Sequence, residues 1–446
     1  MAVRLASALI ATILLAAMST GSPACESDSG TQFPLRVESG KHYPTDKGGR
    51  PFFMHGDTAW SLIADLEEEE AYLYLDDRKA RGFNTVLINL LEHRFSRNAP
   101  ANAYSERPFA DNGDFVVPNE AYFAHADRIL QRACELGFLV LLAPAYLGYG
   151  GGGDGWYQEM AAAGAERLEA YGRFVGRRYR HFDNIMWVNG GDYNPPDKSL
   201  VSAVAEGIRE TDPEALQTAH NAPETAALDY WRGEPWLSIN NVYTYEPVHA
   251  AALVQHAGDM PYFLIESAYE NEHGADTRRL RAQAYQAILS GAFGHLFGNN
   301  PIWHFGGPGL WPVEMSWQKA LDSPGARSMQ VLHEYFSSIK WWELEPDTGN
   351  DFLIGGQGNY HARTMSARTT GGSLAVVYLP NGRGITLDLA KLAGPHVSAR
   401  WVDPSTGGSE AAPGSPFSAD VRYFEPPKGN HADWILELHS LPVQSQ

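Results

Sequence analysis

"IMWVNGGDYN", residues 185–194, is the stretch whose reading decides the fold. Ile185, Met186, Trp187 and Val188 form an unbroken apolar run. A strand with one wet face would alternate, so this one reads as buried on both faces. The run then breaks at Asn189-Gly190-Gly191 and delivers a carboxylate, Asp192. Parallel barrels show this texture where a core strand ends and a site begins.

Seven further runs share it: "PFFMHGD" (51–57), "NTVLINLL" (84–91), "GFLVLLAP" (137–144), "ALQTAHN" (215–221), "LSINNVYTY" (237–245), "PYFLIESAYE" (261–270) and "GHLFGNN" (294–300). Amphipathic stretches separate them, such as "YFAHADRILQRACELG" and "AERLEAYGRFVGRRYR". Asp65 and Glu68 have the spacing of a capping box, acidic residues open the next helix, and Arg78, Lys79 and Arg81 close it before Gly82. Eight strand–helix repeats predict an α/β chain built as a (β/α)8 TIM barrel over residues 35–346. A doubly wound sheet would need a glycine-rich first turn, and "HGDTAW" is not one. From 347 to 446 the runs are short and alternating, with an Asn-Gly hairpin signal in "PNGRG", which predicts a small antiparallel β-sandwich.

The chain has 446 residues, 44% of them hydrophobic, and a net charge of −19. That charge repels nucleic-acid phosphate and anionic lipid, so neither is an expected partner. Residues 1–24 read as a signal peptide, with Arg4 ahead of an apolar stretch. Ser22-Pro23-Ala24 places Cys25 where a bacterial lipoprotein carries its lipid, although Ser22 stands where Leu is usual. The expected location is secreted, periplasmic or at the cell surface, with membrane contact only through that anchor. Cys134 reads as a buried inert thiol.

Barrel sites lie at the C-terminal strand ends. Strand one offers His55, Asp57 and Trp60; strand two Asn89, Glu92 and His93; strand three Tyr146; strand four Asn189 and Asp192. Strand five offers His220 and Asn221, strand six Asn241, Tyr243 and Tyr245, strand seven Glu266 and Glu270, and strand eight Asn299, Trp303 and His304. Glycosidic cleavage needs a carboxylic acid for the leaving oxygen and a carboxylate opposite, and Asp192 and Glu266 fall where a two-carboxylate barrel hydrolase keeps them. Glu270 competes with Glu266 for the second position. The expected substrate-binding set is His55, Asp57, Trp60, Asn89, His93, Tyr146, Asn189, His220, Asn241, Tyr243, Tyr245, Glu270 and Trp303. The glycine run 148–153 lacks a phosphate-loop ending and reads either as a mobile loop over the mouth or as a linker. No cofactor is expected. A metal hydrolase would want more histidines than His55 and His220 supply at the strand ends, and a non-catalytic carbohydrate binder on the same scaffold is the other alternative.

"PFFMHGDTAW", "RGFNTVLINLL", "IMWVNGGDYN" and "PYFLIESAYE" resemble the apiosidase-like catalytic domain, the DUF4038 group that includes glycoside hydrolase family 140. "LAVVYLPNGRGITLDL", "ARWVDPSTGG" and "ADWILEL" resemble the small domain, labelled collagen-binding, that often follows it. The resemblance implies a barrel with a β-sandwich and retaining hydrolysis of a glycosidic bond in a plant-type oligosaccharide or polysaccharide. It puts the acid/base at Asp192 and the nucleophile at Glu266. It also implies an apiosyl linkage of the pectic polysaccharide rhamnogalacturonan II as a substrate class.

Overall fold

The structure is a computed structural model that describes residues 30–110, 114–427 and 433–442. The expected signal segment and Cys25 lie outside the described residues. Eight parallel strands form the barrel: β1 (Met54–Thr58), β2 (Thr85–Asn89), β3 (Leu139–Ala143), β4 (Ile185–Gly190), β5 (Leu216–His220), β6 (Asn240–Tyr243), β7 (Tyr262–Glu266) and β8 (Gly294–Phe297). Their order is β5-β4-β3-β2-β1-β8-β7-β6, with β1 and β8 paired in register. The barrel is nearly closed. At the β5/β6 seam, where no ladder runs, the Asn241 side-chain amide donates to Thr218 Oγ1 (2.9 Å) and the Ala219 carbonyl (2.6 Å), and Ser238 Oγ donates to the Gln217 carbonyl (3.0 Å).

The helices of the outer layer include α1 (Leu62–Asp65), α2 (Glu68–Ala80), α3 (Glu120–Glu135), α4 (Tyr157–Ala163), α5 (Ala165–Tyr179) and α6 (Ser199–Thr211). They continue with α7 (Ala227–Trp231), α8 (Val248–His256), α9 (Thr277–Leu289), α10 (Trp317–Ala320) and α11 (Pro324–Ser337). Helix α2 carries the expected acidic start and basic end, but the capping box does not form. Asp65 turns away to accept from the Arg97 backbone N–H at 2.7 Å. Cys134 is buried on the inner face of α3, as the sequence reading expects. None of the helices among the described residues is long and apolar enough to cross a membrane.

The C-terminal region holds β9 (Leu344–Pro346), β10 (Leu353–Gly355), β11 (Met365–Thr369), β12 (Leu374–Leu379), β13 (Ile385–Asp388), β14 (His396–Val402), β15 (Ser409–Ala411), β16 (Phe417–Ser418), β17 (Val421–Phe424) and β18 (Trp434–Leu441). A seven-stranded antiparallel sheet, β15-β14-β18-β12-β11-β9, with β16 on β14, faces a three-stranded sheet, β10-β13-β17. The expected hairpin at "PNGRG" is absent: β12 and β13 belong to different sheets, so residues 380–384 carry the chain across the sandwich.

Strand β12 explains why "LAVVYL" is apolar throughout. Leu374, Val376 and Tyr378 join the core shared with the barrel, whereas Ala375, Val377 and Leu379 fill the sandwich. Tyr378 stacks on Tyr285 of α9 (centroids 4.5 Å, 6° between planes). Beside them Arg281 of α9 makes a paired contact with Asp433 (2.7 and 2.7 Å), which also accepts from Tyr378.

Candidate active site

A cavity of about 1030 Å³ opens at the barrel mouth, lined by Trp60, Asn89, Tyr146, Asp192, Tyr243, Tyr245, Glu266 and Trp303 among others. Strand β4 ends in Gly190 (φ 85°), Gly191 (φ 142°) and Asp192 (φ 48°), three successive residues in left-handed space. A Cβ on Gly191 would lie 2.3 Å from the Tyr146 ring, and one on Gly190 would lie 2.7 Å from the His220 carbonyl. The two glycines therefore make room for the protein's own neighbours, Tyr146 and strand β5, and turn Asp192 into the cavity.

Asp192 is then held from two sides. The Tyr146 hydroxyl donates to its Oδ2 at 2.6 Å, and its backbone N–H donates to His220 Nδ1 at 3.1 Å. Oδ1 has no hydrogen-bond partner. Because the amide holds Nδ1 as an acceptor, the neutral ring carries its proton on Nε2. That N–H donates to Glu266 Oε2 at 2.7 Å. Tyr245 reaches Glu266 Oε1 at 3.5 Å, and Tyr243 donates to Tyr245 at 3.3 Å. One ligand atom each from Asp192, His220 and Glu266 lie within 4.8 Å of one another.

Burial pushes the Glu266 carboxyl above its ordinary value; the His220 hydrogen bond opposes this and the Asp192 charge adds to it. Burial works against a charge on His220, yet the hydrogen bond to Glu266 and the two carboxylates lift it above the usual imidazole value. Burial first, then the charge of Asp192, holds the Tyr146 hydroxyl far above the phenol range, so it stays a donor.

Several expected residues do not line the cavity. His55 and Asp57 sit at outward positions of β1: His55 stacks between Phe83 and His333, and Asp57 pairs with Arg78 at 3.2 Å. Asn189 points to Gln217 (2.9 Å), and Asn241 is consumed by the β5/β6 seam. His93 meets Glu159 at 3.1 Å. Glu270 accepts from Asn299 (2.8 Å) and from the Gly325 N–H (2.8 Å), tying the start of α11 to the barrel; Glu266 is the one of the two in the cavity. The reason is common to β1, β4 and β6: a strand buried on both faces does not reveal which parity points inward.

Other lining residues lie beyond the strand ends, where the sequence shows only a loop and a helix start. Among them are Tyr149, Asp154, Tyr269, Glu272, His273, Arg279 and Trp311. Glu272 accepts from Trp303 Nε1 at 2.8 Å, and burial pushes its carboxyl up to about 7 against that bond. The glycine run packs on the Asp192 turn: the Gly150 N–H donates to the Asp192 carbonyl at 3.1 Å.

The fold is that of a barrel glycoside hydrolase. A protein described as a glycoside hydrolase superposes with a TM-score of 0.80 at 24% identity, covering 92% of this chain and 98% of its own. A glycoside hydrolase family 5 protein from Bacteroides vulgatus gives 0.80 at 24% identity, covering 91% and 93%. The chain belongs to the family described as apiosidase-like, catalytic domain, whose model matches residues 38–343, and it is accordingly a glycoside hydrolase. Residues 346–439 match a model described as the collagen-binding domain of a collagenase. No curated protein matches the chain.

Proposed function

We propose that the chain hydrolyses a glycosidic bond of a plant-type oligosaccharide or polysaccharide with retention, with Asp192 as acid/base and Glu266 as nucleophile. The observation that carries this reading is the pair of carboxylates facing each other across His220, with one oxygen of each within 4.8 Å, inside the mouth cavity. Retaining pairs stand about 5–5.5 Å apart and inverting pairs about 6.5–9.5 Å. Asp192 gives its proton to the leaving oxygen as Glu266 attacks the anomeric carbon and the glycosidic C–O bond breaks. Water then attacks the glycosyl ester, gives a proton to Asp192 and frees Glu266. The Nε2–H of His220 stabilises the Glu266 carboxylate before attack and after release.

The family's name favours an apiosyl linkage as the one cut. The apolar leader read from the sequence favours export, either free or on a lipid at Cys25. A screen of plant cell-wall oligosaccharides, with products identified and the first anomer recorded, tests the reading. Release of a retained anomer is expected; inversion, or binding without cleavage of any member, defeats it.

The Asp192–His220–Glu266 cluster also has the donor set for a divalent metal. Both imidazole nitrogens are already engaged, by the Asp192 amide and by Glu266, so an ion would have to break one of those bonds. Activity that survives chelation is the expected outcome.

A further inference from the structure

The C-terminal region is not confined to a separate module. His361, from the segment between β10 and β11, lines the mouth cavity together with barrel residues. Its position is set by the barrel helix α9: the buried Gln286 amide donates to the backbone carbonyls of His361 and Arg363, both at 3.0 Å. The same helix brings Arg279 into the cavity wall near its start.

A run of aromatic rings leads from the carboxylate pair to the rim of the same cavity. Tyr245 reaches Glu266. The Tyr245 ring lies 6.2 Å from His273, and His273 lies 4.6 Å from Trp311, which is 43% exposed at the rim. Sugar rings present apolar CH faces that settle on aromatic rings, while their hydroxyls seek fixed donors. Arg279 offers such donors. It is half-buried, it spends one N–H on the Tyr245 carbonyl (3.2 Å), and no carboxylate pairs with it among the described residues. The ring nitrogen His361 Nδ1 is buried without a partner.

We propose that Trp311, Arg279 and His361 form an outer subsite, built jointly by the barrel and the β-sandwich, that holds a sugar unit distant from the bond being cut. This rests on the glycosidase reading for what fills the cavity, but it concerns binding alone. The sandwich then acts as one wall of the cleft, and the ligand of this corner is an extended glycan. A monosaccharide at the carboxylate pair would not reach it.

The test uses the full chain with Glu266→Gln, so that ligands bind without turnover. Titration calorimetry compares cello-, xylo-, manno- and galacturono-oligosaccharides with their monosaccharides, before and after adding His361→Ala or Trp311→Ala. The carbonyl that Gln286 grips is backbone, so His361→Ala keeps that clamp, and an unchanged Tm verifies it. Affinity for at least one oligosaccharide should fall about tenfold or more, with monosaccharide affinity unchanged. Unaltered oligosaccharide affinity in both variants, an equal loss for the two ligand classes, or a panel of which no member binds would overturn the proposal. Hydrolysis by the parent chain is scored separately, so a binding result stands whether or not the glycosidase reading survives.

Discussion

His220 serves the two carboxylates differently, and the difference is set by one backbone hydrogen bond. The Asp192 amide fixes the imidazole tautomer, which leaves Nε2–H for Glu266. Since that bond opposes the upward push on Glu266, His220→Phe should raise the Glu266 pKa further. The acid limb of the kcat/KM profile then moves to higher pH, and turnover falls on the order of 10²-fold, as for loss of a preorganised donor. A pH–rate profile of the variant checks both. Gly191→Ala tests the turn: its methyl group would meet the Tyr146 ring, so activity should fall although neither carboxylate has been touched. Asp192 and Glu266 were legible as mouth residues because Glu266 directly follows the run "YFLI" and Asp192 follows "IMWV" after a short Asn-Gly-Gly break. Glu272, Arg279 and Trp311 were not, because Glu272 and Trp311 reach the cavity from loops and Arg279 from the first turn of α9, placements that local sequence does not encode.

At the scale of elements, strand β1 and helix α2 are joined by an ion pair whose carboxylate, Asp57, sequence reading assigns to the mouth. Arg78 and Asp57 are both fully buried at 3.2 Å, with Tyr74 donating to the same carboxylate oxygen at 2.9 Å. Burial outweighs both partners and pushes Asp57 up to about 6. Arg78→Met removes the cation and leaves a buried carboxylate, which should cost about 3–5 kcal/mol. Asp57→Asn should cost less, because Arg78 keeps Asp77 (2.6 Å) and the Leu321 carbonyl (2.5 Å). Urea denaturation of the two variants checks the order. Helix α2 itself was legible from its charges and Gly82; the inward turn of Arg78 was not, since a basic residue in a last helical turn is ordinarily solvated.

For the whole molecule, buried histidines set an acid limit. His55 and His295 touch at 3.3 Å, and burial depresses both, His295 to about 4. The unfolded chain binds protons at these residues near the ordinary value of about 6.5, whereas the folded chain resists. Stability is therefore full above about pH 6.5 and is lost as pH falls toward 4, by up to about 1.4 kcal/mol per pH unit for each histidine. His295→Asn should flatten that slope in Tm measured against pH. The barrel and the sandwich were both visible as a change in sequence texture, but their junction was not: Arg281 and Asp433 are 152 residues apart and pair only once both units have folded. The proposed hydrolysis requires Asp192 as acid/base and Glu266 as nucleophile. The most direct measurement is product analysis of Glu266→Gly turning over an activated aryl glycoside, chosen from the screen, in the presence of azide. With the nucleophile gone and Asp192 intact, the predicted product is a glycosyl azide of inverted configuration, formed by a variant otherwise almost inactive. Undiminished hydrolysis by Glu266→Gly with no azide adduct would contradict the account.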